Sequence, residues 1–260
     1  MLSVWLPIRT IWWREIIRFV RQRSRLLSAI AQPLIFWILI GSGLNASFKP
    51  TGTSNEQVYT EYFYPGIVVL VLLFTAIFAT ISVVNERREG FLQNVLVAPV
   101  PRWSIVLGQT LGGITLALIQ GVLLLGIAPI IGIKVGLISI LTTIGVMILI
   151  AFSLTNLGLL IAWRMDSTQG FHAIMSLILM PIWLLSGAIF PLAGTPSWLA
   201  WVMNLNPITY GLAAFRHSLY LDSHITFTEL PTLMISILVC SVFSLLTYTG
   251  AVLTASTQQI

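Results

Sequence analysis

Residues 85–102 read NERREGFLQNVLVAPVPR, a charged stretch that separates two long apolar runs. Four charged residues precede Gly90, and Arg102 ends the stretch. Beyond the glycine, apolar residues recur at positions i, i+1, i+4 and i+5, which predicts one face of a short helix. These residues are Phe91, Leu92, Val95 and Leu96. Pro99 and Pro101 end the helix, because proline lacks a backbone N–H and clashes with the preceding turn. A short amphipathic helix at a membrane surface suits docking to another protein better than it suits chemistry.

The composition of the whole chain excludes an ordinary soluble domain. Of its 260 residues, 57% are hydrophobic and only 8% are charged, whereas a soluble domain carries about 25% charged residues. We therefore predict an all-α polytopic membrane protein made of a single domain, 1–260. The net charge is +5, but beyond a basic N-terminal segment nothing favours nucleic-acid binding.

Stretches without Asp, Glu, Lys or Arg locate the membrane spans, because a helix needs about 20 apolar residues to cross the hydrocarbon core. Six transmembrane helices are predicted in this way. Their approximate bounds are Leu27–Leu44, Tyr64–Val84, Ile105–Ile131, Leu137–Ala162, Phe171–Phe190 and Leu233–Thr254. Gly108 and Gly112 in the third span have the GxxxG spacing that allows close helix contact, and we interpret it as packing within the chain rather than a dimer interface.

The segment before the first span predicts an amphipathic interfacial helix over residues 8–25. Its basic residues, which share one face, are Arg14, Arg18, Arg21 and Arg25, and Trp13 lies on the apolar face. Such a helix lies in the membrane interface and holds anionic lipid headgroups. The alternative is a charge cluster that only sets the topology.

The distribution of basic residues gives the orientation. With six spans and the N-terminus inside, only Lys49, Lys134 and Arg216 fall on outer segments, and the other ten of the 13 Lys and Arg residues fall on inner ones. This bias agrees with the positive-inside rule. Both termini and residues 85–102 are therefore expected in the cytoplasm.

The connection between the fifth and sixth spans predicts a re-entrant hairpin on the outer side, over residues 197–219. Its two segments would be Ser197–Leu205 and Pro207–Leu219, because a broken helix with exposed polar groups is costly when it faces lipid. Trp198 and Trp201 suit the membrane interface. The alternative is a seventh span, which would place the C-terminus outside.

No catalytic, cofactor-binding or metal site is predicted. A phosphate-binding loop needs a Gly-rich turn followed by Lys and then Ser or Thr, whereas Lys49 and Lys134 are followed by Pro50 and Val135. His172, His217 and His224 are expected on different elements, unlike the clustered ligands of a metal site. The predicted spans lack Asp, Glu, Lys and Arg, which argues against an ion-coupled carrier. Any energy for moving a solute must then come from elsewhere.

Two motifs resemble the membrane subunits (permeases) of ABC-2-type exporters, also called type V ABC transporters. The first runs from Glu86 to Gln109 and is similar to the family signature E-R-E-x-G-T-L-E … sP-x-s-R … l-G-K, from which Phe91, Gln93 and Gln109 depart. The second runs from Asn206 to Arg216 and is similar to N-P-x-t-Y … d-x-l-R, with Ala214 where an acidic residue is frequent. The drug-resistance and lipo-oligosaccharide exporter branch, with its daunorubicin-exporter-like and nodulation-factor-exporter-like permeases, is the most similar.

The resemblance implies roles for particular residues. A cytoplasmic coupling helix over 86–101 would dock into a groove of a separate ATP-binding subunit, and the interfacial helix would rest near the same subunit. The docking residues would be Glu86, Arg87, Arg88, Glu89, Gly90, Phe91, Leu92, Val95, Leu96, Pro99 and Arg102. An outer gate would be formed by Trp198, Trp201, Asn206, Pro207, Tyr210 and Arg216.

The resemblance also implies a function. The chain would be the permease subunit of an ATP-driven exporter in a prokaryotic plasma (inner) membrane, moving an amphiphilic drug, lipid or lipid-linked glycan outward by alternating access. It would bind no cofactor and not be an enzyme itself, since ATP and Mg would bind to two copies of the partner subunit. A second permease copy is expected, as a homodimer, with a heterodimer left open. The alternative is a membrane scaffold that recruits a cytosolic partner without transport.

Overall fold

A computed structural model describes most of the chain, and all regular structure in the described part is helical. The described residues are 5–21, 31, 34–35, 37–39, 43, 59–97, 99–192, 194–222 and 230–257. The α-helices are α1 (Trp5–Arg21), α2 (Tyr59–Ala79), α3 (Ile81–Arg88), α4 (Phe91–Val97), α5 (Arg102–Leu125), α6 (Leu137–Ala162), α7 (Thr168–Trp183), α8 (Ser197–Leu205), α9 (Pro207–Leu219) and α10 (Leu233–Ser256). A 3-10 turn follows α5 at Ala128–Ile131, and a π turn follows α7 at Leu184–Ala188.

Among the described residues, five helices are long and apolar enough to cross a membrane, and they correspond to the second to sixth predicted spans. They are Glu61–Arg88, Arg102–Ile131, Leu137–Ala162, Thr168–Ala188 and Leu233–Ser256. The second, third and fifth begin earlier than predicted, because charged or polar residues at a helix end extend the helix beyond its apolar window. The first predicted span, Leu27–Leu44, falls outside the continuously described residues.

The run Glu61–Arg88, called the central helix run below, lies in the middle of the bundle. Of its most apolar window, 83% is buried inside the chain, and residues such as Phe63, Val68 and Leu72 are completely buried. A helix that is apolar on all sides is either buried in a protein core or in contact with membrane lipid. Here α5 and α6 cover it.

Thr80 separates α2 from α3 without ending the helical run, because its backbone keeps right-handed helical angles. Its hydroxyl donates to the Ile77 carbonyl oxygen at 2.7 Å, a bond that bends helices. Gly158 of α6 faces this point, and a Cβ added there would lie 2.8 Å from Thr80 Oγ1. The break between α2 and α3 therefore lies at a close approach of α6.

Helix α1 packs along α5 through two glycines. A Cβ added at Gly108 would lie 2.9 Å from the Ile11 Cβ, and one added at Gly112 would lie 2.8 Å from the Glu15 Cβ. These contacts advance by four residues on both helices, so α1 and α5 run side by side in the same direction. This confirms that the GxxxG spacing serves packing within the chain.

The N-terminal helix spans Trp5–Arg21, so it begins earlier than the predicted range of 8–25, and Arg25 lies outside the described residues. Its inner side is formed by Ile8, Ile11, Glu15 and Phe19, which are buried. Trp13 and Val20 are exposed on the opposite side. Both sides of this helix are thus apolar, one against α5 and the other directed away from the bundle.

Between α7 and α10 the chain forms two short helices, α8 and α9, with the bounds of the two segments expected for the hairpin. They contain 9 and 13 residues, which gives lengths of about 14 and 20 Å at 1.5 Å per residue. Both are shorter than the roughly 30 Å of a hydrocarbon core. Asn206 separates them: its amide oxygen accepts from the Ile208 N–H at 3.0 Å and caps α9, and Pro207 occupies the first turn.

Candidate functional sites at the two ends of the bundle

The motif at residues 85–102 is divided by a turn at Gly90, so the prediction of one coupling helix over 86–101 is wrong in its bounds. Its first charges continue the central helix run to Arg88, and only Phe91–Val97 form a separate helix. Gly90 has φ +72°, a left-handed conformation that glycine adopts at little cost. The glycine thus ends α3 and redirects the chain into α4.

Glu86 is turned into the protein, although the motif had suggested that it faces a partner. The side chain is almost completely buried at 1% exposure. Its Oε1 accepts from Arg14 Nη2 at 2.8 Å and from Arg18 Nη1 at 2.9 Å. A carboxylate is almost never buried unless it is paired, and α1 supplies the pair.

Glu15 adds a second carboxylate to these arginines, with its Oε1 3.0 Å from Arg14 Nη2 and 3.8 Å from Arg18 Nη1. The four side chains, called the Glu86 cluster below, carry two negative and two positive charges. They join α1 to the end of α3. Breaking such a buried network by removing one partner is strongly destabilising, because it leaves a charge uncompensated.

Arg87 binds the end of α6. Its Nη1 donates to the Trp163 carbonyl oxygen at 2.8 Å, and its Nε lies 3.1 Å from Asp166 Oδ1. The last carbonyl groups of a helix lack partners within the helix and attract cations. Arg88 Nη1 reaches Thr168 Oγ1 at the start of α7, at 3.5 Å. The two arginines therefore connect the motif to the α6–α7 junction.

Helix α4 does not present its whole apolar face outward, as was expected for Phe91, Leu92, Val95 and Leu96. Leu92 is buried in the core at 3% exposure and Val95 is half-buried, while the Leu96 side chain is outside what the structure describes. Phe91 is 44% exposed, and the Arg14 guanidinium lies 5.7 Å from its ring centre. Leu92 is inward because α4 must cover the core beside α3.

What the motif leaves at the surface is a small patch around the Gly90 turn. We call it the exposed tip, and it consists of Arg88, Glu89, Phe91 and Val97. Val97 is 65% exposed. Pro99 is exposed as well, and Arg102 is half-buried at the start of α5. The Glu86 cluster holds the base of this tip on α1, and Arg87 holds it on the end of α6.

At the other end of the bundle, Arg216 is buried at 2% exposure and binds neutral groups. Its Nη2 donates to the Gly187 carbonyl oxygen at 3.0 Å and to the Tyr62 carbonyl oxygen at 3.3 Å. Its guanidinium carbon lies 4.2 Å from the centre of the Tyr62 ring. Within the part of the chain that the structure describes, no ion pair to Arg216 is found, in line with Ala214 at the position where the family often has an acid.

Gly187 provides the acceptor that these side chains share. It lies in the π turn after α7 with φ +84°, and its carbonyl oxygen also accepts from the Tyr62 hydroxyl at 2.9 Å. Tyr62, Gly187 and Arg216, called the Arg216 site below, tie α2, the π turn and α9 together. Nearby, Trp183 Nε1 donates to the Gly66 carbonyl oxygen at 2.8 Å, which is a second link between α2 and α7.

The residues expected to form an outer gate are not gathered in one place. Trp198 and Trp201 are 68% and 66% exposed on α8, whereas Asn206 and Arg216 are buried. Tyr210 is half-buried and donates its hydroxyl to the Asn204 carbonyl oxygen at 2.9 Å. The aromatic pair is thus a surface feature. Asn206 and Tyr210 hold the α8–α9 connection in place, whereas Arg216 joins α9 to α2 and the π turn.

Several partners in these sites escaped the sequence reasoning, namely Glu15, Trp163, Asp166, Tyr62 and Gly187. Only Glu15 had a usable signal, since it interrupts an otherwise apolar stripe of α1 and so called for a buried partner. Within the described residues, no group of three His, Cys, Asp or Glu side chains is placed to hold a metal ion. His224 lies outside them.

Comparison with known proteins places these sites in a family. Residues 7–220, which include the motif, α5 to α9 and the Arg216 site, match the family described as ABC-2 type transporter. This chain belongs to the ABC-2 type transporter family. It is a membrane transporter permease, and permeases of this family are generally not catalytic and normally work with an ABC ATP-binding subunit.

Three relatives illustrate the breadth of the family. The permease is 28% identical over 214 residues to ycf38 of Cyanophora paradoxa, a transport permease by name, which covers 81% of this chain and 72% of that protein. It is 24% identical over 216 residues to the inner membrane transport permease YadH of Escherichia coli K12, covering 82% of each. It is 28% identical over 192 residues to ABC transporter G family member 20 of Dictyostelium discoideum, covering 70% of this chain and 26% of that protein.

Proposed function

We propose that the permease is the membrane subunit of an ATP-driven exporter that moves an amphiphilic drug, lipid or lipid-linked glycan outward. The observation that carries this proposal is the construction of the exposed tip. Its base is held by the Glu86 cluster and by Arg87, while Phe91 and Val97 face solvent. An apolar tip on a fixed base fits a groove of an ATP-binding subunit, with Arg88 and Glu89 setting the register rather than the affinity.

The central helix run supplies the mechanical link. It joins the exposed tip to the Arg216 site, because Tyr62 and Glu86 lie near its opposite ends. Its 28 residues correspond to about 42 Å at 1.5 Å per residue. A displacement of the tip by closure of the ATP-binding subunits would therefore move Tyr62 against Gly187 and Arg216. Alternating access would follow if the contact of Tyr62 with Gly187 and Arg216 has two alternative arrangements, one for each state of the transporter.

For the topology we infer six spans, with 27–44 as the first and α8 and α9 as a re-entrant hairpin at the outer face. The exposed tip and both termini would be cytoplasmic, as the excess of Lys and Arg on that side favours. The π turn, α8 and the Arg216 site would then form the outer gate. Trp198 and Trp201 would lie at the headgroup level, where tryptophan is enriched. The membrane would be the plasma membrane of a prokaryote.

The complex would contain two permeases and two ATP-binding subunits, with the permeases forming a homodimer around the pathway. ATP and Mg would be bound by the partner subunits. This proposal agrees with the amphiphile-exporter branch that the two motifs resemble. Lipid on the inner side would contact the apolar side of α1 that includes Trp13 and Val20, which faces away from the bundle.

The test is reconstitution of the permease with the ATP-binding subunit encoded beside it, in liposomes, with ATP turnover and substrate movement measured together. The double variant Phe91→Asp/Val97→Asp should lose both the co-purifying subunit and stimulated ATP turnover. The matched control is Leu221→Asp, an exposed apolar residue after α9 at the opposite end of the bundle. If the ATP-binding subunit binds but amphiphiles do not change its ATP turnover, the permease is a scaffold. If the double variant still retains the ATP-binding subunit, the exposed tip is not the docking site.

A further inference from the structure

A groove on the side of the bundle lies between α6 and α10. Its volume is about 520 Å³, and its walls include Gly145, Ile148, Phe152, Leu245 and Tyr248. Both helices are long and apolar enough to cross a membrane. Ile148 and Leu245 are also exposed, at 42% and 64%, so the groove opens toward the hydrocarbon of the bilayer and not toward the centre of the bundle.

Small residues create this groove. A Cβ added at Gly145 would meet no atom within 4 Å, so the glycine borders open space and is not required for a close helix contact. On the opposite wall, α10 contributes Ser241. At the floor the two helices do touch, since Ser153 Oγ and Ser244 Oγ lie 2.5 Å apart. The two spans are therefore joined along one edge and separated along the other.

The hydroxyl groups in the walls are all engaged within the protein. Ser241 donates to the Ile237 carbonyl oxygen at 2.7 Å, and Ser244 pairs with Ser153. The Tyr248 hydroxyl reaches the Trp103 carbonyl oxygen at 3.4 Å. Their O–H donors are therefore used within the protein and offer a polar ligand little to replace its bonds to water, whereas a hydrocarbon chain leaves no polar group unpaired.

One end of the groove is marked by a feature of the membrane interface. Tyr248 packs its ring 5.7 Å from the Phe152 ring in the wall, and its hydroxyl bonds the backbone at Trp103, near the start of α5. Trp103 is 42% exposed, and amphipathic aromatic residues gather at headgroup level. Arg102 begins α5 beside it. The groove thus runs from Gly145 toward Tyr248, whose hydroxyl contacts the start of α5 at the end of the bundle that holds the Glu86 cluster.

We propose that the groove binds one acyl chain of a phospholipid from the leaflet on the Trp103 side, with the headgroup at Trp103 and Arg102. The occupant is a resident lipid. The site lies on the outside of the bundle, away from the central helix run, and the proposal does not depend on the direction or the substrate of transport. Unlike the lipids that surround any membrane protein, a lipid in this groove should remain bound when the bilayer is removed.

The experiment places the photoreactive residue p-benzoylphenylalanine at Ile148 in the groove and, as the matched control, at Leu141 on the same helix. Leu141 is 61% exposed and is not part of the groove walls. The full-length permease is reconstituted in vesicles of phosphatidylethanolamine and phosphatidylglycerol, exchanged into lipid-free detergent, irradiated, and measured by intact mass. We expect a phospholipid adduct with the photoreactive residue at Ile148 and no adduct with it at Leu141.

Two variants fill the groove from opposite walls: Gly145→Leu on α6 and Ser241→Leu on α10. Either variant should abolish the lipid adduct at Ile148. Gel filtration would show whether one variant is misfolded, and the other variant would then still test the proposal. Equal amounts of phospholipid adduct at Ile148 and Leu141 would mean that only bulk lipid reacts, and this would overturn the proposal. So would an adduct that survives both filling variants, or one with the mass of a second permease chain.

Discussion

Tyr62 and Glu86 lie near opposite ends of one helical run, and each binds arginine from a separate element. Glu86 accepts from Arg14 and Arg18 of α1, while Tyr62 lies under the guanidinium of Arg216 from α9. A continuous helical run between these two arginine contacts can carry a displacement from one to the other.

Glu86→Gln should destabilise the permease, because Arg14 and Arg18 would keep only Glu15 as a charged partner. Removing a buried partner costs about 3–5 kcal/mol, but the two arginine side chains are 26% and 36% exposed. We therefore expect about 2 kcal/mol, between the surface and buried cases. Thermal unfolding in detergent measures it, with Glu89→Gln as the exposed control. Equal midpoints for the two variants would contradict the account.

Gly112→Val should separate α1 from α5. The Cβ would come 2.8 Å from the Glu15 Cβ, which is closer than real carbon contacts, and valine branches at that atom. We expect α1 to become accessible to protease and the Glu86 cluster to open. Gly145→Ala is the control, since its Cβ meets no atom within 4 Å. Limited proteolysis followed by N-terminal mass analysis reads the result, and unchanged resistance of the Gly112 variant would refute this packing.

Arg216→Lys should be more harmful than Arg216→Met, although lysine keeps the charge. A lysine ammonium is a point charge that lacks the planar fork of arginine, so it cannot bond Gly187 and stack on Tyr62 together. It would leave a buried charge poorly paired, whereas methionine buries none. Thermal unfolding of both variants decides this order. Exposed Arg164→Lys should have no measurable effect, and a lysine variant as stable as the wild type would show that the Arg216 site is not needed.

Gly90→Ala should cost about 1 kcal/mol, because alanine at a positive φ is strained. The larger effect is expected on assembly, since Gly90 at φ +72° sets the direction of α4. We predict weaker co-purification of the ATP-binding subunit at unchanged expression. Gly145→Ala is again the control, because it makes the same substitution at a glycine whose added Cβ meets no atom within 4 Å. Full co-purification with Gly90→Ala would mean that the orientation of α4 is unimportant.

The sequence was sufficient for features that depend on local patterns. Apolar windows located five spans, with α6 at its observed bounds, and Pro207 with Asn206 located the start of α9. Local patterns could not predict which charged side chains of residues 85–102 are buried and which are exposed. Glu86 finds its partners about 70 residues earlier in the chain, and such a pairing depends on how α1 docks. Charged residues were therefore assigned to the surface, where they usually lie.

The bounds of α4 failed for a related reason. The positions of Phe91, Leu92, Val95 and Leu96 fit one helical face, but the pattern does not reveal the left-handed turn at Gly90 or the core that buries Leu92. Glycine is compatible with both a helix and a turn, and only tertiary packing selects between them. The same holds for Gly187, whose carbonyl oxygen organises the Arg216 site.

The central claim is that the exposed tip is where the ATP-binding subunit docks on the cytoplasmic side. A single cysteine at Val97, in a Cys240→Ala background, tests it by cross-linking in sealed vesicles that contain both subunits. The account predicts a cross-link from Val97 to the ATP-binding subunit, sensitive to ATP, and none from a cysteine at Trp198 on the other end. Labelling of the Val97 cysteine only by reagents confined to the outer side, or a cross-link from Trp198 instead, would contradict it.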